Sequence, residues 1–354
     1  MKKVFYCVLI SWLSYSCGPK IESFDAPMIN IDLNKKTNIP LFQKFQNSIE
    51  SIILETNKDC LVASVDQFCK DDSILFILDR KQNKIFLFST SGKFLTQINK
   101  QGRGPGEYVK ATTFGVNKQK DIIYLYDISQ RKLLKFNYNG GFLEEHYNND
   151  YVTSFYRNLC VSNVGNLLMA NPDYCEPTLD GVWESDENGK FLRRFSHIKK
   201  EHDFKWLVFP YFSQFDNITS YYNTFTDNVF TFKDKKPHCV LQVNMKQRLP
   251  NRYLKNNKGF GINGDTGPYF LHSEIAETEK FFFFAYLSNE EGKIFVLYDK
   301  DTQETVISKN LFKDHNIWRY ESSGIFSYTS NAFMAVDFEE SEDKNPELKI
   351  IYTN

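Results

Sequence analysis

Residues 74–95, ILFILDRKQNKIFLFSTSGKFL, recur at 122–143 as IIYLYDISQRKLLKFNYNGGFL. The segments align without a gap at an offset of 48, with Asp79 on Asp127, Lys84 on Lys132 and Gly92 on Gly140. Each reads as an apolar strand, a turn, a second strand, a Gly turn and a third strand. In 74–78 both faces are apolar, with Ile74, Phe76 and Leu78 on one side and Leu75 and Ile77 on the other. That pattern belongs to a strand covered on both faces, because a sheet with one wet face would alternate. Short strands repeating every 40–50 residues, in sheets packed between two neighbours, mark the blade of a β-propeller.

The repeat weakens along the chain but persists. Gly189-Lys190-Phe191-Leu192 supplies another Gly turn and third strand, 49 residues after Gly140. Asn228–Phe232, after the strand Ser220–Tyr222, reads as another middle strand, and so does Gly292–Asp299, which ends in Asp. Gly324–Tyr328 and Ala332–Val336 form a last pair. The span of 306 residue steps from Ser48 to Asn354 holds just over six periods. Leu348–Tyr352 has no strand after it, so it is expected to join a blade begun by Glu50–Leu54 and close the ring. The expectation is an all-β, six-bladed propeller over 45–354, closed by its N- and C-terminal strands.

Composition agrees. Of 354 residues, 42% are hydrophobic and 25% charged, a globular balance, and 33 Phe and 20 Tyr favour strands. The net charge of -1 gives no basic excess for a phosphate backbone, so nucleic acid is not an expected partner. After the N-terminus no apolar run reaches the length needed to span a bilayer. Phe281–Leu287 is strand-sized and reads as a buried core strand.

The first residues read as a processing signal. Lys2 and Lys3 precede the apolar run Val4–Leu13, followed by Ser16 and Cys17. Residues 1–17 are expected to be a signal peptide ending at a lipobox-like Cys17. Leu13 lies four residues before the cysteine rather than the usual three, so ordinary signal-peptidase cleavage nearby is the other reading. Residues 18–44 read as a polar tether and entry segment in which Pro19, Pro27 and Pro40 discourage regular structure. Beyond Cys7 and Cys17 stand Cys60, Cys69, Cys160, Cys175 and Cys239, an odd number. Cys60 with Cys69, and Cys160 with Cys175, are spaced for pairing between neighbouring strands. The other reading takes them as small buried apolar groups.

The lipobox-like Cys17, the segment Gln101-Gly102-Arg103-Gly104-Pro105-Gly106-Glu107-Tyr108, the Asp-ended strands and Asn345-Pro346-Glu347-Leu348 carry a resemblance. Over residues 45–354 the chain resembles the six-bladed β-propeller lipoproteins of Gram-negative gut-type bacteria, relatives of NHL-repeat propellers. The resemblance implies that fold and attachment to the cell envelope, at the outer membrane or in the periplasm. It implies little about activity.

Signatures of chemistry are sparse. The Gly-rich stretch at 101–108 lacks the Gly-Lys-Ser/Thr ending of a phosphate loop and precedes a strand. It reads as a crossover between blades, whose Arg103 and Glu107 are candidates to face a ligand near the central channel. Asp79 and Asp127 recur, so they read as turn-capping groups. The six histidines are scattered, and no Gly-x-Ser-x-Gly elbow occurs. The densest aromatic stretch, Phe204–Tyr222, includes Trp206 and Tyr211 and suits either a blade core or a stacking platform. Tyr156, Arg157 and Asn158, read as the start of an inner strand, are further candidates to face a ligand. The expected function is envelope-anchored, non-catalytic binding or scaffolding of a small molecule, glycan, peptide or envelope protein, without a cofactor. The alternative is a lactonase- or lyase-type enzyme built around a central calcium ion held by groups such as Glu107, Asn158, Asn171 and Asp227.

Overall fold

A computed structural model describes residues 25–147, 158–170, 181–195, 212–223, 227–233, 236–248, 271–288, 292–312, 324–338 and 343–354. These residues form six sheets. The first holds β3 (Gln67–Asp71), β4 (Ile74–Asp79), β5 (Lys84–Ser89) and β6 (Phe94–Ile98), in that order. The second holds β7 (Thr113–Asn117), β8 (Ile122–Asp127), β9 (Lys132–Asn137) and β10 (Phe142–Tyr147). The third holds β11 (Asn158–Val161), β12 (Leu167–Ala170), β13 (Val182–Ser185) and β14 (Phe191–Phe195). In the fourth, β15 (Phe212–Phe215), β16 (Ile218–Asn223), β17 (Asn228–Lys233) and β18 (Lys236–Met245) gain a fifth, parallel strand, β1 (Met28–Ile31). The fifth holds β19 (Leu271–Glu277), β20 (Phe281–Ser288), β21 (Gly292–Asp299) and β22 (Thr305–Ser308). The sixth joins β23 (Ile325–Thr329), β24 (Ala332–Asp337) and β25 (Glu347–Tyr352) to β2 (Ile49–Ile53).

The innermost strands β3, β7, β11, β15, β19 and β23 touch in turn, and β23 returns to β3. The molecule is thus a ring of six blades. Its closure is the one expected from the sequence: β2 pairs antiparallel with β25, Ile49 opposite Ile351 and Ile53 opposite Glu347. No blade edge is left open at the seam.

Apolar clusters fill the gaps between neighbouring blades, which explains why the second strands are apolar on both faces. Leu75 and Ile77 of β4 pack with Met334 and Ile350 of blade six, while Phe76 and Leu78 pack with Phe114 and Leu125 of blade two. The run on β20 divides the same way. Phe281, Phe283 and Ala285 face Phe333 and Ile351 of blade six; Phe282, Phe284 and Tyr286 face Tyr222 and Leu241 of blade four.

The Gly turns seat one blade on the last. Gly92 adopts φ +85°, and a Cβ there would lie 2.1 Å from the Ile53 carbonyl oxygen, so only glycine fits. Gly140, 48 residues on, repeats the contact against the Gln97 carbonyl.

The described part of the 18–44 stretch lies along the rim. Between Pro27 and Pro40, β1 extends blade four, and Ile31 and Leu33 are buried in the core between blades four and five. The Leu33 amide donates to Gln247 Oε1 at 2.9 Å. Thr37 then bridges to Ser308 of blade five before the chain reaches β2. Regular structure between these prolines is possible because β18 offers a free edge to pair with.

Candidate functional site

The crossover from β6 to β7 is held down by its own residues. Glu107 Oε2 accepts the Gly104 amide at 2.8 Å, and a Cβ on Gly102 would collide with the same carboxylate. Gly106, at φ +73°, donates its amide to Glu145 Oε2 at 2.7 Å and lies against the Phe142 ring. The buried Lys132 ammonium reaches both the Gly104 carbonyl at 3.3 Å and Glu145 at 3.2 Å. Tyr108 is fully buried; its hydroxyl donates to the Ile98 carbonyl at 2.9 Å, and burial pushes its pKa well above the usual phenol value.

The recurring aspartates clamp this crossover and the one before it. Asp79 accepts from the Ala63 amide at 2.6 Å, Ser64 Oγ at 2.9 Å, the Gln82 amide at 2.9 Å and Gln82 Nε2 at 2.8 Å. Asp127 accepts from the amides of Val109 at 2.7 Å, Ser129 at 2.8 Å and Gln130 at 3.3 Å, and from Gln130 Nε2 at 2.8 Å. Each ties the incoming crossover to the turn after its own strand, the structural role expected from their repetition. Asp299 ends a third strand rather than a second and accepts from Asp301 and Thr302 in its own turn.

The ring's axis is bridged by neutral groups. Gln67 Oε1 accepts Thr113 Oγ1 at 2.7 Å, and Gln67 Nε2 donates to the carbonyls of Phe114 at 2.6 Å and Leu159 at 3.0 Å. Thr113 Oγ1 accepts the Leu159 amide at 2.9 Å. Opposite, the Ser213 and Ser327 hydroxyls meet at 2.6 Å, and Ser327 Oγ accepts the Glu277 amide at 2.8 Å. Glu277, buried, pairs with Lys300 at 2.6 Å.

Among the described residues, the candidates Glu107, Asn158 and Asp227 stand on different blades and do not gather. Glu107 is engaged within its loop, which packs on the outer strands β9 and β10 rather than at the axis. The reason is the crossover's starting point, the outermost strand of blade one. Arg103 is exposed on the same loop. Asn158 is buried at the head of the innermost strand β11, opposite Ala170. Asp227 lies between blades four and five, ion-paired with Arg248 and accepting the Tyr222 hydroxyl at 3.1 Å. Its carboxyl is pushed up to about 6 by burial, against the opposing pull of Arg248. Tyr156, Arg157, Asn171, Trp206, Tyr211 and Cys17 lie outside the described residues. In the aromatic stretch that includes Trp206, the described Phe215, Tyr221 and Tyr222 are buried core. Cys60, Cys69, Cys160 and Cys239 are free thiols, and Cys175 lies outside the described residues. Among the described residues no three of His, Cys, Asp and Glu gather in a metal-holding group.

Sequence reasoning did not find Gln67, Thr113, Ser213 and Ser327. The available signal was their place in short, polar stretches such as Gln67–Asp71, one ahead of each strong apolar strand.

Ring, seam and loops define a six-bladed β-propeller. The chain belongs to the family of the domain of unknown function DUF4934, whose profile matches residues 27–350. It is similar in fold to a Bacteroides fragilis protein predicted to be exported: TM-score 0.73, 20% identity, covering 92% of this chain and 99% of that one. A DUF4221 member from Bacteroides vulgatus follows at TM-score 0.55 and 12% identity, covering 86% and 97%. No curated protein matches the sequence.

Proposed function

We propose that this is an exported, envelope-anchored propeller, tethered through Cys17 in the manner of the NHL-like lipoprotein propellers, and that it binds or scaffolds a partner without catalysing a reaction. The observation that carries the reading is the use made of the polar groups. Gln67, Thr113, Ser213 and Ser327 spend theirs on one another and on backbone across the axis. Asp79, Asp127 and Glu107 spend theirs on turns and crossovers. A rigid ring whose acids hold its loops in place is suited to presenting those loops. The similar fold of a Bacteroides fragilis protein predicted to be exported supports the location.

A thermal-shift series on the purified protein tests this, because a ligand specific for the folded state raises the melting temperature. The reading expects a rise with a glycan or peptide that is unaffected by chelator. A rise with calcium alone, abolished by chelator, would favour a metal-centred enzyme and contradict it.

A further inference from the structure

Five cations stand on one side of blades one and two. Lys81 lies in the turn after β4, Lys100, Arg103 and Lys110 in the crossover from β6 to β7, and Arg131 in the turn after β8. All five are exposed, and among the described residues none of their side chains makes an ion pair or hydrogen bond.

The segments carrying them are fastened together. Gln101 Nε2 donates to the Gln82 carbonyl at 3.2 Å. Asn83 holds the Val109 carbonyl at 2.9 Å and the Ala111 amide at 2.5 Å. Asp127 holds the Val109 amide to the turn that ends at Arg131. The neighbouring carboxylates keep their charge but are turned inward: Asp79 and Asp127 are fully buried against turns, Glu107 is held by Gly104, and Asp66 by Ser64 Oγ at 2.5 Å and the Arg80 amide at 2.8 Å, so the charge exposed on this face is the cations'. In a chain of net charge -1, this is a local, preorganised excess of positive charge.

The surface between the cations is polar. Asn99, Gln101 and Ser129 are exposed, and Val109, at 37%, is the large apolar side chain exposed among them. Charges spread over three segments suit an extended partner with repeated anions. Amides and a hydroxyl between them suit a partner with many hydroxyls, and the small apolar exposure gives a bilayer little to hold. From this geometry we infer that this face binds an acidic polysaccharide, its carboxylates or sulfates meeting Lys81, Lys100, Arg103, Lys110 and Arg131. The inference rests on the binding reading above and names its ligand class.

The full chain is titrated with polygalacturonate, heparin and neutral dextran, and with phosphatidylglycerol vesicles, at low and high salt. Expected is binding to the two acidic polymers but not dextran, weakening as salt screens the contact. K100E/R103E/K110E weakens it at least about tenfold. K93E/K190E/K280E makes the same change of net charge on exposed lysines of other turns and stays within about twofold. Equal loss in both triples would reduce the effect to bulk charge and overturn the inference. So would tighter binding to the vesicles, or no binding to either acidic polymer. If the acidic polymers fail while a peptide raises the melting temperature, this inference falls and the binding reading stands. A response to calcium alone removes both.

Discussion

At the scale of single residues, the repeated positions are those where an interaction cannot be replaced. Asp127 satisfies three backbone amides and a side-chain amide at once. Asp127→Ala strands those donors, so we expect a loss of about 3 kcal/mol in urea unfolding. Gly92 and Gly140 share a turn but not a tolerance. A Cβ at Gly92 would stand 2.1 Å from a carbonyl oxygen, against 3.2 Å at Gly140. Gly92→Ala is therefore expected to cost about 2 kcal/mol and Gly140→Ala less, with equal costs contradicting the inter-blade seating. Asp227 carries a pH signature. Burial pushes its carboxyl up to about 6 in the folded chain, against about 4 for an exposed aspartate. Between those values the folded state holds more protons, so this group's contribution to stability falls as pH rises from about 4 to about 6. It stays low above that. Asp227→Asn should flatten the decline, by at most about 3 kcal/mol for the full shift, measured as the difference between wild-type and variant unfolding curves across that range.

At the scale of elements, what the sequence revealed follows from what each strand touches. β4, β8 and β20 lie between two blades, so every residue meets apolar neighbours and the strands stand out as unbroken apolar runs. The Gly turns stood out because the backbone approach demands glycine. The innermost strands were silent for the opposite reason. Six of them crowd the axis, where Gln67 reaches two neighbouring blades and Ser213 meets Ser327, so their polar residues break the pattern that marks a strand. A unit of three strands was therefore legible where four exist. The Asp at a strand end was ambiguous too: Asp299 serves its own turn as Asp79 does, yet ends a different strand. The rim strand β1 could not be read, because its sequence, MINI, becomes a strand only beside β18. That dependence is testable. Leu33→Ala empties a fully buried position just after β1 and should cost about 3 kcal/mol, with amide exchange along β18 accelerating more than along β8. An unchanged β18 would mean the rim segment adds nothing to blade four.

At the scale of the whole molecule, closure and presentation are two sides of one design. The seam between β2 and β25 ties residues 49–53 to the chain's last strand, so all six blades share one cooperative ring. The axis is bridged by neutral hydrogen bonds, while the β6–β7 crossover and the turns after β4 and β8 carry the exposed cations of blades one and two. The candidate site was legible only in part. Arg103 was recognised through its Gly-rich loop, but Lys81, Lys100, Lys110 and Arg131 join it only through hydrogen bonds that bring three separate segments together. The central claim is that partners meet the crossover loops and not the axis. Hydrogen–deuterium exchange of the full chain, with and without polygalacturonate, tests it most directly. The account predicts protection in 79–84, 99–112 and 128–132, with β3, β7 and β11 unchanged. Protection concentrated in those innermost strands would place binding at the axis and contradict it.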